Sequence, residues 1–97
     1  MVPLSAATRK RLDTLFAPAD RAAAARLLEE ECGNNLPFCE AASPESSERI
    51  RHAALKLSGG DLAELRSMVA HAQLDWRDVL VSAGFGSDLD AHRRWQP

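Results

Sequence analysis

Apolar residues recur at helical spacing through most of the chain, and no segment shows the alternate-residue spacing of a strand. The clearest stripe is Ile50, Ala53, Ala54 and Leu57, and the next is Leu62, Leu65, Met68, Val69 and Ala72. Only Ser58-Gly59-Gly60-Asp61 separates them. Glycine closes a helix in the left-handed conformation without a Cβ clash. Asp61 suits an N-cap, accepting a bond from a free amide of the following helix. Glu64, three residues on, is placed to reach back to the Asp61 amide. The pattern predicts helices over 44–57 and 62–74, paired as the central hairpin of a compact all-α bundle.

The flanking segments bring the bundle to about five helices. A first helix is expected over 6–16, with Ser5 as its N-cap and Leu12, Leu15 and Phe16 as its apolar stripe. The run Thr8-Arg9-Lys10-Arg11 is expected mostly in solvent. Ala17-Pro18 stops this helix, because proline disfavours a helical residue before it. A second helix, from Pro18 or Ala19 to Cys32, has proline at a permissive first position and Asp20 at the positive end of the dipole. Ala24, Leu28 and Cys32 lie one turn apart on one face. Glu29-Glu30-Glu31 sit at the negative end of the dipole, a mild penalty with no evident return beyond solubility or a basic partner.

Gly33-Asn34-Asn35 ends the second helix. Residues 33–42 are the longest non-periodic stretch, with Leu36 and Phe38 expected to anchor it to the core. Ser43 caps the third helix and Pro44 opens it. Asp75 breaks the fourth pattern and, with Asp78 three residues on, caps a fifth helix that buries Trp76, Val79, Leu80 and Ala83. Gly84 and Gly86 end that helix around Phe85. Residues 88–95 are expected to add a last helical turn.

Ninety-seven residues, 45% of them hydrophobic, suffice for one core, so a single helical domain over 1–97 is expected. No window approaches the ~18 apolar residues of a membrane span. The first residues lack the basic segment and apolar run of a signal peptide. A cytoplasmic setting follows as the expectation, with Cys32 and Cys39 as reduced thiols. The net charge of −2 argues against general polyanion binding, which needs an excess of Lys and Arg.

Candidate chemistry is sparse. Cys32, Cys39, His52 and His71 are the residue types of a zinc site, but the short Cys-x2–4-Cys spacing is missing. Neither a metal nor a cofactor is expected. Cys32 reads as a small core residue and Cys39 as a loop thiol. There is no Gly-x-Ser-x-Gly elbow, phosphate-binding glycine loop or His-Glu-x-x-His pair, and the expectation is that the chain is not an enzyme. His71 and Asp75, four apart, suit a surface pair.

Two functional readings remain. The hairpin over 44–74 has the turn length and glycine of a helix-turn-helix, which would make the chain a nucleic-acid-associated regulator. Its second helix, however, opens with Asp61 and Glu64, carboxylates that would meet phosphates. The favoured reading is a non-enzymatic interaction module that binds a protein partner or a second copy of itself. Its candidate surface is Trp76, Arg77, Phe85, His92, Arg93, Arg94 and Trp95. Trp and Arg are enriched among interface hot spots, and the His92-Arg93-Arg94-Trp95 run suits an acidic surface. Spacing with Val79 and Leu80 nevertheless favours Trp76 and Phe85 as core residues. Trp95, near the terminus, either staples the tail to the bundle or faces a partner.

Overall fold

Helices begin where the short polar side chains and prolines predict. In the computed structural model, which describes residues 3–32 and 44–97, they are α1 (Ala6–Leu15), α2 (Pro18–Glu31), α3 (Pro44–Ser58), α4 (Leu62–Ser82) and α5 (Ala91–Arg94). The Ser5 hydroxyl accepts the Thr8 amide at 3.1 Å at the start of α1. Asp61 Oδ1 accepts the amides of Ala63 and Glu64 at 2.8 and 3.2 Å at the start of α4. The reciprocal bond expected from Glu64 does not form, because the Asp61 amide donates to the Ser58 carbonyl at 3.1 Å. Asp61 therefore satisfies two free amides alone. Asp61→Ala is expected to cost about 1 kcal/mol, read as a lowered urea midpoint at unchanged slope.

The expected fourth and fifth helices are the two arms of α4. Asp75 between them is extended (φ −154°, ψ 87°), and its Oδ1 accepts the Asp78 amide at 3.3 Å, restarting the helix as an N-cap does. His71 consequently pairs across the break with Asp78 (2.8 Å), not with Asp75 as the four-residue spacing suggests. The short α5 is the expected last turn. The Gly33–Asn35 stop, the anchors Leu36 and Phe38, Cys39 and the Ser43 cap lie outside the described residues.

α3 is the centre of the bundle. It packs along α4 over most of its length, and against α1 and α5 elsewhere, while α2 fills the angle between α1 and α4. Residues 50–55 are all buried, so α3 is enclosed on every side for more than a turn. Ala53 and Ala54 allow its neighbours to approach closely. Around it lie Leu12 of α1 with Phe16 just beyond, Ala24 and Leu28 of α2 with Cys32 just beyond, Leu65, Val69, Val79 and Leu80 of α4, and Phe85. The turn between α3 and α4 has Gly59 and Gly60 at φ 59° and 85°, and Gly60 rests on the Leu15 carbonyl at the end of α1.

One expectation is corrected. Thr8 and Arg11 are buried, and only Arg9 and Lys10 of that run face solvent. Thr8 and Arg11 share the turn-to-turn register of Leu12 and Leu15, which carries them onto the packed face. Among the described residues, no helix is long and apolar enough to cross a membrane.

Candidate functional site

One face of α3 carries a row of basic donors. Arg49, His52 and Lys56 are spaced three and four apart and so align along the helix. All three donate to main-chain carbonyls of the C-terminal segment. Arg49 Nη2 reaches the carbonyl of Phe85 (2.5 Å) and, at greater length, that of Asp88 (3.5 Å). His52 Nδ1 meets the His92 carbonyl at 3.1 Å, and Lys56 Nζ meets the Ala83 carbonyl at 2.8 Å. From α1, Arg11 donates Nε to the Trp95 carbonyl and Nη2 to the Arg93 carbonyl, both at 2.9 Å, and Nη1 to its own helix at Ala7 (3.0 Å). The fork of donors on arginine suits it to this work. The buried Arg51 ties the other side of the bundle, donating to the carbonyls of Cys32 (2.8 Å) and Pro3 (3.1 Å).

A buried polar cluster sits beneath this row. Because the acceptor for His52 Nδ1 is a carbonyl, that nitrogen carries the proton. Nε2 of the neutral ring is then the acceptor for the Thr8 hydroxyl at 2.9 Å. The Ser5 hydroxyl donates to Glu48 Oε1, which also lies 3.4 Å from the Thr8 hydroxyl. Glu48 Oε2 is 3.8 Å from His92 Nε2. The two imidazoles stand 5.4 Å apart, centroid to centroid. His92 is 1% exposed, and neither of its ring nitrogens has a hydrogen-bond partner among the described residues.

Burial dominates the electrostatics. It pushes the His52 imidazole down to about 4, with Arg11 and His92 adding to the effect and the bond to the His92 carbonyl and Glu48 opposing it. Burial also lowers His92, with help from Arg93 and Arg49 and against the pull of Glu48 and of the Leu89 carbonyl. Burial alone would raise the Glu48 carboxyl. The hydrogen bond from Ser5 foremost, with the nearby imidazoles of His52 and His92 and the Thr8 hydroxyl, outweighs it and holds the group below its ordinary range.

The sequence-nominated binding residues divide into two places. Phe85 and His92 are buried, and Trp95 is half-buried with its ring 6.3 Å from His52 and 6.4 Å from Phe85. Trp95 thus staples the tail to the bundle. Arg93 and Arg94 are exposed beside it and pair with Asp90 and Asp88 respectively. Trp76 and Arg77 lie elsewhere, at the break in α4. The Arg77 guanidinium stacks over the half-buried Trp76 ring at 5.2 Å, and both line a surface recess of about 450 Å³ with Leu74 and Asp75. Leu74 there is 84% exposed.

Among the described residues, no group of three His, Cys, Asp or Glu side chains could hold a metal ion. Cys32 is buried in the core, His71 pairs at the surface, and His52 is engaged by Thr8 and the His92 carbonyl. Sequence reasoning missed Thr8, Arg11, Glu48 and the role of His52. A signal for the first two was present, since both fall on the Leu12–Leu15 stripe. No protein-family model, curated protein or solved structure matches the chain significantly.

Proposed function

We propose that this all-α protein is a non-enzymatic interaction module whose contact surface is centred on the break in α4. The observation that carries the reading is the exposure of Leu74 beside the Trp76–Arg77 stack, around a recess that the extended Asp75 opens. Tryptophan and arginine are the residue types enriched in interface hot spots, and the exposed leucine beside them adds apolar contact area. The polar cluster of Thr8, Glu48 and His52 supports a structural rather than a catalytic role. Its hydrogen bonds close upon the protein's own hydroxyls and main chain. The alternative, nucleic-acid binding through α3 and α4, has less support. Asp61 and Glu64 are exposed where a reading helix would meet phosphates, and α3 is committed to the core.

Leu74→Glu tests this reading. The substitution is at the surface, so stability is expected to stay within about 0.5 kcal/mol of the original. A partner, or a second copy detected by sedimentation, that is held by the original chain in the presence of nuclease is expected to be lost from the variant. Retention of the same stoichiometric partner by Leu74→Glu would place the contact surface elsewhere.

A further inference from the structure

We propose that the C-terminal turn is an acid-sensitive latch, closed on α1 and α3 while His52 and His92 are neutral and released when they take up protons. The inference stands apart from the interaction reading above. It rests on how the turn is held. α5 is four residues long, too short to persist without tertiary support, and the helix it packs against is α3. Its attachments are the His52 bond to the His92 carbonyl, the two Arg11 bonds to the carbonyls of Arg93 and Trp95, and the Trp95 ring. The His92 side chain is fully enclosed, and the carboxylate nearest it, Glu48 Oε2, stands 3.8 Å from Nε2, beyond hydrogen-bond distance.

The charges that face the histidines come from three elements. α1 contributes Arg11, α3 contributes Glu48 and Arg49, and α5 contributes Arg93. A single carboxylate therefore stands against three guanidinium groups, and Glu48 is already accepting from the Ser5 hydroxyl. A proton on either ring meets burial and these cations, and a second proton also meets the first, 5.4 Å away. Once the turn leaves, both rings enter water, where histidine takes up a proton near pH 6.5. The open form then binds more protons than the closed one, so acid favours opening. For His52 the closed-to-open ratio falls about tenfold per pH unit between about pH 6.5 and about pH 4, and His92, lowered by burial as well, drives opening in the same direction. The apolar core around Leu65 and Val69 contains none of these groups, which makes the response local to the turn.

Proton–nitrogen correlation spectra of the full chain, recorded from about pH 7.5 down to about pH 4, test this. The expected result is loss of structured shifts for the amides of 91–95 and the Trp95 indole, while Leu65 and Val69 keep theirs. His92→Phe, which keeps a ring but cannot take a proton, is expected to lower the release midpoint by at least about one pH unit. The proposal is overturned if the turn amides keep their shifts throughout, if they are lost together with those of the core, or if a folded His92→Phe opens at the original pH. Should that variant not fold, the titration of the original chain decides alone.

Discussion

Gly60→Ala is expected to cost about 3 kcal/mol, and Gly59→Ala, one residue earlier, about 1 kcal/mol. Both glycines have positive φ, so both substitutions strain the backbone. They differ in what the new methyl group meets. At Gly59 it enters open space. At Gly60 it would lie 2.5 Å from the Leu15 carbonyl oxygen, which is main chain at the end of α1 and cannot swing aside. Either the α3–α4 turn lifts or the end of α1 shifts, and both movements disturb packing around Phe16. For a chain of this size 3 kcal/mol corresponds to a fall in Tm of roughly 15 °C. Thermal unfolding of the two variants side by side checks the prediction, and equal losses would show that the close approach carries no energetic weight.

Arg11→Met is expected to cost about 2–3 kcal/mol, although Lys10→Met beside it changes stability by less than about 0.5 kcal/mol. Methionine keeps the apolar stem but supplies no donor. The carbonyls of Arg93 and Trp95 then lose the guanidinium that spans them. Each of these part-buried carbonyls left without a partner costs about 1 kcal/mol. Arg11→Lys is expected to recover only part of the loss. It restores the charge, but a compact ammonium cannot reach three carbonyls in one fixed plane. Urea unfolding gives the energies, and the half-buried Trp95 reports whether the tail loosens first.

The parts of the fold that were legible in sequence are those fixed by neighbours a few residues away. Ser5 and Asp61 cap helices because the amides they hold are two or three residues on. The break at Asp75 announces itself by a short acidic side chain three residues before Asp78. Ala24, Leu28 and Cys32 share a face by helical arithmetic alone, and all three are buried. The polar cluster was not legible, for a different reason. Thr8 meets His52 across 44 residues, and Arg11 meets Trp95 across 84. More importantly, the acceptors for Arg11, Arg49 and Lys56 are carbonyls, which every residue possesses. No complementary side chain exists to be noticed, so a charged run such as Thr8–Arg11 looks like solvent-facing surface. The candidate surface was half legible. Trp76 and Arg77 stand out by type, but the exposure of Leu74 depends on the direction the chain takes at Asp75.

The row of donors on α3 and α1 has a consequence for how this protein can change over time. Because Arg49, His52, Lys56 and Arg11 recognise the path of the C-terminal segment rather than its letters, the outward-facing residues there contribute little to the recognition. Ser87, Leu89, Asp90 and Arg94 all point into solvent. They are open to substitution by other amino acids without loss of any main-chain acceptor that these donors use, so this edge of the molecule can be rewritten while the scaffold beneath it stays constant. The burden of constancy passes to four basic side chains distant in sequence, and drift in the tail is compatible with strict retention of the residues that hold it.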